Sequence, residues 1–147
     1  MTGRSGAVTL SLTFILAAGC SSEQQETHYK TLSAAEMAGA VHQGWIPEWL
    51  PKNAHNLKEK HDTQTNGSIL RFDFPESDKW TPSSDCSPVP ASQVQAPAVK
   101  AAWWPKDVPT TETTSTSYSY YTCTGAGARE LMAVDFSRGE ALHWRLP

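Results

Sequence analysis

Polar and apolar residues change their rhythm several times along this chain, and each change marks an element. Ala7 to Ala18 is an almost unbroken apolar run, interrupted by Thr9, Ser11 and Thr13. It is too short to span a bilayer, which takes about 20 apolar residues. Ser21 to Thr31 is polar, carries Glu23, Gln24, Gln25 and Glu26, and has no apolar period, so it is expected to be a flexible tether. Leu32 to Gln43 changes to a helical pattern. Ser33 with Glu36 three residues on makes a capping box, Leu32 and Met37 suit a hydrophobic staple, and Gly44 supplies a stop. Met37, Val41 and Ala34 are expected on its core side. Pro47 and Pro51 then forbid a long helix or inner strand, so residues 44–51 read as a turn inserting Trp45 and Leu50 into the core.

Leu57 to Asp62 is ambiguous between helix and strand until Thr65–Asn66–Gly67, a strong hairpin signal, assigns it to a strand. Its partner is Ser68 to Phe74, with Leu70, Phe72 and Phe74 on one face and Ile69, Arg71 and Asp73 on the other. Pro75 to Val94 reads as loop with one helical turn after Pro75. Ala98 to Trp104 reads as a short helix closed by Pro105, and Asp107 to Ser117 as an exposed loop or edge. Alternation returns in Tyr118 to Cys123, Glu130 to Phe136 and Ala141 to Leu146, the last two joined at Ser137–Arg138–Gly139. The expected fold class is α+β: a single antiparallel sheet of about five strands, one or two short helices packed on it, and one disulfide.

Arg4, the apolar run and the small residues before Cys20 follow the order of a secretory signal. Leu16–Ala17–Ala18–Gly19–Cys20 closely resembles the lipobox of bacterial lipoproteins. The resemblance implies cleavage before Cys20 and lipid on that cysteine. Removal of residues 1–19 from the 147 would leave 128, and loss of Arg4 would take the formal charge from −3 to −4. The expected organisation is signal peptide 1–19, lipidated tether 20–31 and one globular domain 32–147. Ser21 stands where many inner-membrane lipoproteins carry Asp, so the resemblance implies the outer membrane, facing the periplasm. An acidic chain without a Lys/Arg cluster lacks the field that nucleic acid requires.

With Cys20 assigned to lipid, Cys86 and Cys123 remain. The oxidising compartment that an exported chain meets favours a disulfide between them. Closing that 37-residue separation is worth roughly 4 kcal/mol in the chain-entropy model. A metal or redox pair is disfavoured by the absence of Cys-x-x-Cys spacing.

Candidate chemistry is sparse. His28, His42, His55, His61 and His143 include no i, i+4 pair, so no metal site is expected. His61 and Asp62 are neighbours on a strand and point to opposite faces, which suits a structural hairpin better than proton transfer. There is no nucleophile elbow, P-loop or dinucleotide fingerprint, and Gly125–Ala126–Gly127 reads as a turn. Pairs drawn from Asp73, Asp78, Asp85 and Asp135 are too easily assembled among 15 acids to single out a catalytic set.

Six tryptophans are many for this length. They serve either as core fillers, the weightier reading, or as an aromatic platform for sugars or a partner. Trp103, Trp104, Tyr118 and Tyr120 form the candidate binding surface. Consecutive positions differ by about 100° on a helix, so one of Trp103 and Trp104 is expected to be exposed.

Trp45–Ile46–Pro47, Leu50–Pro51, Ala54, Asn56, His61–Asp62 through Phe72, and Trp103–Trp104–Pro105 are similar to a small group of short bacterial lipoproteins without an assigned activity. Tyr121–Thr122–Cys123–Thr124–Gly125 resembles the opening strands of membrane-bound lysozyme inhibitors, although only two strands follow it here. The expected function is a lipid-anchored envelope protein with a non-catalytic binding or structural role. The alternative is an inhibitor or immunity lipoprotein acting on a periplasmic cell-wall hydrolase. An enzyme of wall sugars ranks third. No cofactor is expected. The expected partners are the membrane, through the lipid, and an envelope protein or cell-wall glycan.

Overall fold

In the computed structural model, residues 23–109, 117–124 and 129–147 are described. The expected lipobox with Cys20 and the turn expected at Gly125–Ala126–Gly127 lie outside these residues, as does most of the loop expected over 107–117.

Seven strands make one antiparallel sheet: β1 Gln24–Thr31, β2 His55–Asp62, β3 Ser68–Asp73, β4 Cys86–Val89, β5 Ser119–Thr124, β6 Arg129–Asp135 and β7 Glu140–Arg145. Their order is β1-β2-β3-β7-β6-β5-β4. The β2–β3 hairpin and the β5–β6–β7 run form as the alternation predicts. The two halves join where β7 pairs with β3, from Ser68↔Arg145 to Asp73↔Glu140. The expectation of an α+β fold with about five strands is therefore corrected. Helix is nearly absent, and two strands without apolar alternation complete the sheet.

The first of these is β1. Gln24–Thr31, expected as a flexible tether, pairs with β2 from Gln24↔Asp62 to Thr31↔His55. Only Thr27 and Tyr29 are half-buried there, so the strand is ordered chiefly by giving the backbone groups of β2 their partners. The second is β4. It carries Pro88, which an edge strand tolerates, and its Cys86 lies directly opposite Cys123 of β5. The expected disulfide joins the two, with Cα atoms 4.0 Å apart.

The α-helix α1 is Leu32–Met37, half the expected length. Gly39 takes φ +81, and the N–H groups of Gly39 and Ala40 return to the carbonyls of Glu36 and Ala35. That is a Schellman stop five residues ahead of Gly44. Thr31, not Ser33, is the N-cap, its hydroxyl accepting from the Ala34 N–H at 3.2 Å. Met37, expected in the core, is 83% exposed because the helix ends before that face can dock. The helix expected at Ala98–Trp104 does not form. Of the proline turn, Ile46 and Leu50 are buried, while Trp45 is half-buried and stacks on His61.

Both faces of the central strands are covered. On one, α1 and the segment to Ala54 place Ala35, Ile46 and Leu50 over Leu57, Leu70, Phe72, Met132 and Val134. On the other, residues 89–109 place Val99, Trp104 and Val108 against Ile69, Leu131, Leu142 and Trp144. The β6–β7 turn is tied by the buried Asp135. Its carboxylate accepts from the Ser137 and Arg138 N–H groups at 3.0 and 3.1 Å and from the hydroxyls of Ser117 and Ser137. Gly139 in that turn has φ +59, and a Cβ there would meet the Phe74 carbonyl oxygen at 2.2 Å, so no larger residue fits.

Candidate functional site

The second cover reaches β3 at Ile69 and touches β1 and β2 through Trp103 and the Lys100 carbonyl, and beside those contacts an open groove remains. It has a volume of about 540 Å³ and is lined by His28, Lys30, Asn56, Lys58, Arg71 and Asp73 with Tyr29 and Leu57. The register explains how it forms. His28 lies opposite Lys58, and Lys58 opposite Arg71, so the three make a row straight across β1, β2 and β3. At about 4.8 Å per strand the row spans roughly 10 Å. A β-bulge between His55 and Lys58 shifts the β2–β3 register. Asn56 in the bulge adopts φ 51, and its amide donates to Asp73 Oδ2 at 2.9 Å at the groove's end.

The charges around the groove are not evenly satisfied. Glu26 accepts from the Trp103 indole N–H at 2.9 Å and lies 3.2 Å from His28 Nε2. Glu140 is engaged by both Arg71 and the Tyr118 hydroxyl. Asp73 is held by Asn56. No lysine forms an ion pair among the described residues, and Lys60 spends its ammonium on the Lys100 carbonyl at 2.8 Å. Of the charged side chains lining the groove, Lys30, Lys58 and Arg71 stand against Asp73, and Arg71 is already met by Glu140, so Lys30 and Lys58 are the cations left without an ion pair among the described residues.

The four residues expected to form a binding surface divide between core and rim. Tyr120 is buried. Trp104 packs edge-on against Trp144 with centroids 5.6 Å apart, and its indole donates to the Val108 carbonyl. It anchors the cover to the sheet. Trp103 is half-buried beside the groove, its indole on Glu26 and its carbonyl 3.5 Å from Arg71 Nη1. Tyr118 shares Glu140 with Arg71 and lies under the Arg138 guanidinium, 5.5 Å from its ring centroid. Burial, with Glu140 at its hydroxyl, raises the Tyr118 phenol above its ordinary range. Trp103 and Tyr118 thus flank the Arg71–Glu140 pair. His28, Lys30, Lys58 and Arg71 were missed as site residues because their row exists only once β1 is known to be a strand.

The opposite face carries a buried polar belt. His61 Nδ1 lies 2.8 Å from Glu59 Oε1, and Trp45 stacks on the imidazole at 3.8 Å, 6° from parallel. Desolvation, with Glu26 adding repulsion, pushes the Glu59 carboxyl up to about 8. Desolvation lowers the His61 imidazole against the pull of Asp62. Farther along the same face Glu130 meets His143 Nε2 at 3.2 Å and Arg145 Nη2 at 3.1 Å. The hydrogen bond from His143, joined by Arg145, holds Glu130 down to about 2 although burial opposes it. Glu130 and Arg145 also border a cleft of about 300 Å³ beside the disulfide, with Trp49 and Asp85. Among the described residues neither carboxylate–imidazole pair is bonded to a hydroxyl or thiol that it could activate. No cluster of three or more metal-ligating side chains occurs among the described residues.

A family model described as the YbbD head domain matches residues 23–73. The matched stretch, about a third of the chain, contains β1, α1, the first cover, β2 and β3. All the residues lining the groove fall inside it. No curated protein and no solved structure matches the chain.

Proposed function

We propose that this is a lipid-anchored protein of the bacterial envelope, tethered through Cys20, whose role is binding rather than catalysis, with the β1–β3 groove as its binding surface. The observation that carries the binding reading is the row His28–Lys58–Arg71, laid across three adjacent strands on a face the second cover leaves open. The lipobox resemblance of Leu16 to Cys20 supports the anchor. With β1 starting at Gln24, few residues separate the lipid from the sheet, so the groove would work close to the membrane surface.

Two measurements test the two parts. Fatty-acid-analogue labelling of cells should mark the wild type and not Cys20→Ala; equal labelling refutes the anchor. A photo-crosslinking residue at position 58 should capture an envelope component, and one at position 52, exposed on the first cover, should not. Equal capture from both, or none from 58, refutes the groove as the binding surface.

A further inference from the structure

We infer that the groove takes a glycan whose sugars carry carboxylates; this rests on the reading of the groove as the binding surface. The groove and the Trp103 side chain beside it join three chemistries that such a ligand uses together. Lys30 and Lys58, unpaired among the described residues, offer charge-assisted donors to a carboxylate, while Arg71, ion-paired with Glu140 and with Nη1 3.5 Å from the Trp103 carbonyl, fixes the end of the row. Asp73, with one oxygen held by Asn56, faces the same groove as an acceptor for hydroxyls. The half-buried Trp103 indole beside Arg71 offers an apolar edge for the C–H surface of a sugar ring. It is held in place at both ends of the residue, by Glu26 at the indole and by Arg71 at the carbonyl, so little ordering remains to oppose binding.

The direction of the row across the strands separates this ligand from two others. An extended peptide that docks on a sheet adds along an edge and pairs with its backbone. The row His28–Lys58–Arg71 instead runs across the strands, where a peptide would find side chains and no ladder. Compact phosphate sites draw on free backbone N–H groups at helix N-termini or nests. The floor here is the face of β1, β2 and β3, whose ladder N–H groups lie in the plane of the sheet, so a ligand on that face meets side chains. Contacts spread along roughly 10 Å suit a chain of sugars better than a small anion.

The test uses the full chain in detergent, titrated with a hyaluronan hexasaccharide, whose alternate sugars carry carboxylates, and with the neutral chitohexaose. The hyaluronan fragment should bind at least tenfold tighter, and its affinity should fall as salt is raised. Lys58→Gln and Lys30→Gln should each weaken it several-fold and together more than tenfold. Trp103→Ala should weaken it about tenfold, while Trp103→Phe, which keeps a ring, should retain most of the affinity. Equal binding of the neutral hexasaccharide, binding indifferent to the lysine substitutions, or full displacement by equimolar inorganic phosphate would each overturn the inference. Absence of glycan binding while the residue at position 58 still captures an envelope protein would overturn the glycan and leave the binding surface standing. Absence of both would remove the two together.

Discussion

Strand β2 belongs to two different environments on alternate residues. Leu57, Glu59 and His61 point under the first cover and are buried, while Lys58 and Lys60 point to the other face and remain partly open. The contrast shows what a cover does to charge. Sealed from water with only an imidazole for company, Glu59 keeps its proton up to about 8. On the same sealed face Glu130, given both His143 and Arg145, is held at about 2. A buried carboxyl is thus neutral or ionised according to the donors supplied with it. Across the sheet Lys58 faces water and needs no partner, which leaves it able to meet a ligand's charge. The sealed face sets Glu59 on His61 and Glu130 on His143 and Arg145, whereas on the open face Lys58 is left without an ion pair among the described residues.

That comparison can be broken or sharpened by substitution. The largest effect is expected under the cover: Phe72→Ala should cost about 3–5 kcal/mol in chemical denaturation, because the ring is fully buried against Phe74 and Trp80. A loss under 1 kcal/mol would mean the first cover is not a packed layer. Next comes the latch between β4 and β5. Replacing Cys86 and Cys123 together by serine should cost up to roughly 4 kcal/mol if chain entropy dominates. Mass measurement after alkylation of native protein should find both thiols protected.

The pH dependence probes the sealed acid directly. Between about 4.5 and about 8 the folded state holds the Glu59 proton and the unfolded chain does not, so stability is greatest at the acid end and falls as pH rises. The lowered His61 acts in the opposite direction below its ordinary 6.5, so the clean window is pH 6.5 to 8. Over it Glu59 should account for a loss of about 2 kcal/mol, at about 1.4 kcal/mol per unit. Glu59→Gln should flatten the profile there, and an unchanged slope would locate the titration elsewhere. Glu130 has the opposite sign: its contribution is lost only as pH falls from about 4.5 toward about 2. The smallest effect is expected on the open face, where Lys58→Ala should shift stability by no more than about 0.5 kcal/mol. A larger change would mean Lys58 serves the fold.

Where one strand face is apolar, the sequence alone determines the element. Leu70, Phe72 and Phe74 against Ile69 and Arg71 mark β3, and Leu142, Trp144 and Leu146 mark β7, because a period of two survives whatever the strands later pack against. With Cys20 set aside on the lipobox resemblance, the two remaining cysteines were enough to anticipate the disulfide that joins β4 to β5. Three things were decided only by the tertiary structure. Strands β1 and β4 carry too little apolar surface to announce themselves, and they are ordered by a neighbour's unpaired backbone and by a crosslink. The covers follow no period: Gly39 cuts the helix short, and Trp104 holds a loop to Trp144 where a helix was expected. The groove depends on both. His28, Lys58 and Arg71 come from three strands, and they become one row only when β1 pairs with β2, β2 pairs with β3, and the second cover stops beside them. Register between strands is a long-range property, and no local pattern in QQETHYKT encodes it.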